Sequence, residues 1–378
     1  MGTPSTNVFG QFNAKSVWVT SGAFSLDQTV SGSLQQLSRV QDVTYSVPYP
    51  LTANTYLDSS VEAYNPVPAG VNVDIRTYNT NGRNEWFLGL AKTNSSGTLL
   101  LGLDDEKDLY VASQDIQGYD AIGAPATAPQ TVLGLAQGVI TSYELGAQVG
   151  GIIESRTSMN FLTAVAYTGF SGVTVPSVNY KDGDSRTGRF IIPPALSQYN
   201  PNATGFDALM YGAPAIGARD MIVMFTQNNP FAVVYTGQQA VYLQSFNLAL
   251  TVDRQEQKPL GYTYPTARQI MYPIRVDLTT QALVSKLQAD RLDRLNCTTT
   301  GFSINLVVKQ PCSSATMFGF YFDNLQIASQ SFSNSIGPVD TITTQWRGWI
   351  RTPCDAFFSP YVQYVVDLAT TGAWGTTW

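Results

Sequence analysis

The sequence contains no histidine. That absence removes the usual general base near neutral pH, the usual zinc ligand, and every Ser-His or Cys-His nucleophile pair. Charge is scarce as well. Asp, Glu, Lys and Arg together make up 13% of the chain, roughly half the share of an ordinary globular protein. A surface built from Ser, Thr, Asn, Gln, Gly and Tyr desolvates more cheaply than a charged one, which suits burial against partner subunits. There are three cysteines, Cys297, Cys312 and Cys354. Their spacing fits no zinc or CxxC pattern and an odd number cannot pair fully within one chain, so they are expected to be reduced thiols, with a Cys297–Cys312 bridge as the alternative. No cationic signal segment and no run of eighteen apolar residues is present, so the chain is expected to have no membrane anchor and to be made in the cytosol. The opening MGTPST fits the loose myristoylation pattern only by chance, given Pro4 and no basic support.

Net charge is −6 and unevenly placed. Residues 1–200 carry 16 acidic against 10 basic side chains, and residues 201–378 carry 11 of each. With no Lys/Arg run, the chain is a poor static binder of DNA, because affinity comes largely from neutralised phosphates. It remains compatible with a surface past which DNA slides.

Candidate sites are thin. Asp182-Gly183-Asp184-Ser185-Arg186-Thr187-Gly188 begins like a calcium loop, but Arg186 stands where a third oxygen ligand belongs and no Glu follows at the right distance. It reads as an exposed turn. The run Asp104-Asp105-Glu106-Lys107-Asp108 could hold a divalent ion but reads as a solvated loop. No phosphate-binding glycine loop and no GxSxG elbow occurs. The expectation is no catalytic residue, no cofactor and no metal site.

What the chain does have is alternation. Val40–Val47 and Leu243–Leu250 alternate apolar and polar residues, and Asp108–Ala112, Ala218–Phe225, Phe231–Tyr235 and Ser303–Val308 are shorter strand candidates. Helices are expected over Thr280–Leu295, where Leu283, Leu287 and Leu295 could share a stripe, and over Arg83–Ala91. The phrase VNVDIRT from Val71 resembles IRVDLTT from Ile274. Val73 and Val276, Asp74 and Asp277, Thr77 and Thr280, and Gln41 and Gln244 are each 203 residues apart. Later, Ile140 and Ile327, Ser142 and Ser329, Gly150 and Gly337, and Thr157 and Thr344 are 187 apart. Ordered offsets of this kind point to a duplicated unit, with a loop shortened in the second copy. The expected fold is mainly β (α+β): two tandem β-sandwich units, each flanked by a helix. The first covers residues 1–160 and the second 218–378, with 161–217 as a connection.

The stretch LQSFNLALTVDRQEQKPLGYTYPTARQIMYPIRVDLTTQAL from Leu243 resembles the major tail proteins of long-tailed bacteriophages, the subunits of the tail tube. The features that carry it are Arg254, Leu260-Gly261, Arg268 and Pro273. SQSFSNSIGPVDTITTQWRG from Ser329 is similar to the closing strands of such proteins, and ITSYELGAQVGG from Ile140 echoes it. The resemblance implies a virion protein, made in the host cytoplasm, that stacks as rings into a DNA-conducting tube. It also implies the tape-measure protein, transiting DNA and other tail proteins as partners. A doubled unit implies three chains per ring with pseudo-sixfold symmetry, and six chains per ring is the alternative. A conduit wall should be neutral or acidic, with Asp42, Asp74 and Asp277 as candidates for it. The competing readings are a baseplate, tail-terminator or capsid decoration protein, or a carbohydrate-binding β module; an enzyme ranks last.

Overall fold

In the computed structural model, the residues described are 14–21, 35–48, 52–55, 61–64, 70–79, 83–93, 99–101, 106–114, 130–168, 173–174, 189–190, 217, 221–225, 239–240, 243–262, 264–284, 302–309, 316–333 and 340–351. Strands dominate them, and every pairing is antiparallel.

The first set of strands comprises β1 (Ala14–Ser21), β2 (Gln35–Gln36), β3 (Val40–Ser46), the hairpin of β4 (Thr52–Thr55) and β5 (Val61–Tyr64), and β6 (Val71–Tyr78). Helix α1 (Arg83–Leu88) follows, then the small hairpin β7 (Ala91–Thr93) and β8 (Leu99–Leu101), β9 (Lys107–Gln114), β10 (Gln130–Gln148), β11 (Glu154–Phe161) and β12 (Thr163–Thr168). Another small hairpin joins β13 (Val173–Thr174) to β14 (Arg189–Phe190). The second set comprises β15 (Met221–Phe225), β16 (Gln239–Ala240), β17 (Leu243–Thr251), the hairpin of β18 (Arg254–Gln257) and β19 (Ala267–Ile270), β20 (Ile274–Val284), β21 (Phe302–Lys309), β22 (Thr316–Ser333) and β23 (Asp340–Ile350).

The two sets pair in the same order. Within the larger sheet, a central run reads β22-β23-β20-β17-β10-β11-β6-β3, which is one four-strand pattern written twice, head to tail. Flanking strands repeat too: β2-β1-β9 pairs onto the first half of β10, and β16-β15-β21 onto the first half of β22. Even the irregularities recur. The bulge between Ile140 and Ser142 against β11 returns between Ile327 and Ser329 against β23. The bulge between Val40 and Asp42 returns between Leu243 and Ser245. A bulge adds one unpaired residue and re-aims the strand, so its recurrence fixes the correspondence better than alternation does.

That correspondence corrects one expected offset. Ile75 lies between Thr157 and Val43, and Thr280 lies between Thr344 and Phe246. Ile75 therefore matches Thr280, 205 residues on, where the sequence suggested 203. Asp277 matches Asn72, and Asp74 matches Thr279. A slip of two keeps every side chain on its face, which is why alternation alone did not reveal it.

A second correction concerns Thr280–Leu295. Thr280 to Val284 continue β20, paired from Thr344 to Asp340, so the expected helix does not begin there. Thr280 is buried, and its hydroxyl accepts a hydrogen bond from Trp346 Nε1 at 2.9 Å. β-Branched residues and a full cross-strand ladder outweighed the leucine spacing. Residues 285–301 lie outside the described part, and among the described residues only the first set carries a helix, α1, where Arg83–Ala91 was expected to be helical. The fold is accordingly mainly β.

Alternation explains the burial. In β6, Val71, Val73, Ile75 and Thr77 face inward while Asn72, Asp74, Arg76 and Tyr78 face out. The inward residues of the central run join Val17, Val19, Leu109 and Leu135 at one end, and Ile304, Leu306 and Phe320 at the other, in one hydrophobic cluster. Burial of this kind is worth about 25 cal/mol per Å² of apolar area. Residues 351–378, the thiols Cys297, Cys312 and Cys354, the Asp182–Gly188 turn, the Phe231–Tyr235 candidate and most of 161–217 lie outside the described residues, apart from Arg351.

Candidate functional site

The two strand sets meet at a junction between β10 and β17. The second half of β10 pairs with β17 from Ser142↔Thr251 to Gln148↔Ser245. Val252 N–H donates to the Thr141 carbonyl and Val149 N–H to the Gln244 carbonyl, each at 2.8 Å, so the ladder extends past both strand ends. Phe246, Leu248 and Leu250 of β17 are buried opposite Ala147, Leu145 and Tyr143 of β10, in that order.

The β18–β19 hairpin then reaches back over the first set. Arg268, on β19, is buried with its guanidinium among three groups of that set. It donates to Glu106 Oε1 and to the Asn160 carbonyl, each at 3.0 Å, and to the carbonyl of Gln137. Arg254, on β18, donates to the Ile140 carbonyl and to the Arg268 carbonyl, each at 3.2 Å. The planar guanidinium fork suits several acceptors at once. Two of the residues that carried the tail-protein resemblance, Arg254 and Arg268, are thus the bolts of the junction. Gly261, with a left-handed φ of 83°, stands at the hairpin tip beside the fully exposed Leu260.

Gln137 sits where β10 passes from one pairing partner to the next, in a left-handed conformation with φ 52°. Both of its backbone groups are held: the N–H by Asp108 Oδ1 at 2.8 Å, the carbonyl by Arg268. Glu106 and Asp108 were expected in a solvated loop. They are instead buried, Glu106 just before β9 and Asp108 within it, because each serves this corner. Nothing in the local run of acidic residues signalled it; the partners are Gln137 and Arg268, distant in sequence. Among the described residues no group of three or more acidic, Cys or His side chains could hold a metal ion.

The outer face of the central run is polar. β10 contributes Ser142, Glu144, Gly146 and Gln148, and β17 contributes Ser245, Asn247, Ala249 and Thr251, all outside the buried set. No lysine occurs in any strand of this run. Three of its four arginines meet carboxylates: Arg156 lies 2.8 Å from Asp74, and Arg275 and Arg347 lie 2.5 and 3.0 Å from Asp277. The hydroxyl of Ser158, at 2.5 Å, holds the Asp74 carboxyl below its ordinary range, with Arg156 adding to the effect against partial burial. Asp42, Asp74 and Asp277, expected on one wall, all fall on this face. A groove across the junction is lined by Arg76, Glu144, Gln148, Arg156, Asn247 and Thr279.

A buried polar cluster backs the same sheet. Glu85 of α1 accepts hydrogen bonds from Asn79 Nδ2 at 2.7 Å and from the Tyr143 hydroxyl at 3.3 Å. Burial pushes the Glu85 carboxyl up, and burial together with the nearby Glu85 charge pushes the Tyr143 phenol well up.

No protein-family model matches this sequence, and no curated protein matches it. Among solved structures, the chain is similar to a component of the virion of a native gene transfer agent particle, at 9% identity and a TM-score of 0.25. It is also similar to a component of the tail of an empty gene transfer agent particle with C6 symmetry, at 7% identity and a TM-score of 0.25. Each likeness covers 36% of this chain and 99% of the other.

Proposed function

We propose that this chain is a structural virion protein, the subunit of a phage tail tube, built from two fused tube units near residues 1–160 and 218–378. The observation that carries the reading is the head-to-tail repetition of the central run: β17 of one strand set already pairs with β10 of the other, as neighbouring units in a ring would. Three chains would then present six similar positions, and a ring removes sheet edges that otherwise invite aggregation. The polar outer face of that run would be the lumen wall. With Arg156, Arg275 and Arg347 engaged by carboxylates and no lysine, it offers few free cations to phosphates, so DNA passes without being held. The tape-measure protein would occupy the lumen before DNA does, and other tail proteins would cap the ends. The protein has no catalytic role and no cofactor in this reading.

Negative-stain microscopy of the concentrated protein tests it. Stacked rings with a central channel are expected. Monomers at every concentration would contradict the proposal, and single rings that never stack would favour a terminator or baseplate component.

A further inference from the structure

The internal junction shows how the two ends of the central run are completed. β3 ends the run on one side and the second half of β22 on the other, and among the described residues each pairs with one strand of that run, β6 and β23. β3 corresponds to β17, and β22 corresponds to β10, by order and by shared bulges. Inside the chain β17 and β10 are partners; β3 and β22 are not. We infer that β3 of one copy pairs antiparallel with the second half of β22 of the next copy, in the register of β17 on β10. The inference rests on the ring reading and specifies its contact.

Carrying the internal register across places Val47 opposite Gln330, Ser46 opposite Ser331, Tyr45 opposite Phe332 and Thr44 opposite Ser333. Each of these pairs matches an internal one, such as Leu248↔Leu145 for Tyr45 and Phe332. Burial shows what is missing. Leu248 is 0% exposed, but its counterpart Tyr45 is 59% exposed, although both belong to the inward alternation of their strands. Ile140 on β10 is buried, while its counterpart Ile327 on β22 is only partly so. A second copy supplies to Tyr45 what β10 supplies to Leu248. The contact is heterologous, edge β3 to edge β22, so it propagates in one direction and closes only as a ring. Pairing of β3 with a second β3 would place Tyr45 outside any such register.

Cysteine cross-linking reads the register directly. Ser46→Cys and Ser331→Cys are combined in the full chain with Cys297, Cys312 and Cys354 replaced by Ser, and the assembled protein is mildly oxidised. Directly opposite residues of an antiparallel pair lie within disulfide reach. Covalent oligomers that revert on reduction are expected from the double variant, with at least tenfold less from either single variant and from S46C with Gln330→Cys, one residue out of register. Equal cross-linking in the offset pair, dimers from S46C alone, or tubes that form with no S46C–S331C product would each overturn the inference. The last outcome would leave the tube reading standing. Cross-linked rings that never stack would do the reverse.

Discussion

Arg268 brings a full charge into a buried corner, and its geometry there is good: a carboxylate and two carbonyls accept from one guanidinium. Replacing it with Leu leaves Glu106 buried without its cation, which costs about 3–5 kcal/mol when one partner of such a pair is removed. Denaturant unfolding should show that loss in Arg268→Leu, and the double variant with Glu106→Leu should recover most of it. An unchanged midpoint for the single variant would refute the bolt. Glu85 makes a prediction of opposite character. Its carboxyl is raised above the ordinary 4.5 by burial, so the folded state binds a proton more readily than the unfolded state. The stabilisation from this proton is fully present below 4.5 and is lost as pH rises through the raised value. Glu85→Gln should flatten stability against pH over that window, measured by thermal unfolding at successive pH values. Asp74, lowered from 3.8, slopes the other way: its contribution is present above 3.8 and lost as pH falls through the lowered value.

Strands β10 and β22 each serve two groups of neighbours along their length, and the bend between them needs a close approach. In β10, a Cβ on Gly138 would stand within 2.1–2.5 Å of the Phe161 ring, whereas one on Gly146 would meet nothing nearer than 3.5 Å. Gly138→Ala should therefore lose about 1–3 kcal/mol by overpacking, and Gly146→Ala should change stability by less than about 0.5 kcal/mol. Equal effects would show that the corner is looser than described. Most of these elements were legible in the sequence because alternation over Val40–Val47 and Leu243–Leu250 can be satisfied only by a half-buried strand. The repeated Val-Asp phrase also located the repeated strand, yet missed its register by two, since a period-2 pattern is blind to even slips. Thr280–Val284 misread as helix for a related reason: leucine spacing is local, and the decisive partner, β23, lies some sixty residues downstream. The corner at Gln137 was not legible at all. Its logic joins residues 106, 108, 137 and 268, and no short window contains them.

At the scale of the whole molecule, the ring proposed above would cover two edges of the central run that have no neighbour among the described residues, β3 and the second half of β22. In the proposed ring the internal junction would serve as the template: one contact of this kind is made within the chain, and the other would be made with another copy. In the tube proposed above, the side-chain chemistry of the outer face of the central run would decide whether a polyanion slides or sticks. An outer-face variant such as Asp277→Asn releases Arg275 and Arg347 from their carboxylate, and in the proposed tube should slow DNA passage or retain DNA, most strongly at low salt. Unaltered retention across salt concentrations would place this face elsewhere. The most direct measurement is a cryo-electron microscopy reconstruction of the assembled protein at a resolution that separates strands. The account predicts a channel lined by the face carrying Glu144, Asp74 and Asp277, with β3 of each chain laid against β22 of the next. A reconstruction with that face turned to the outside, or with β3 and β22 apart, would contradict it.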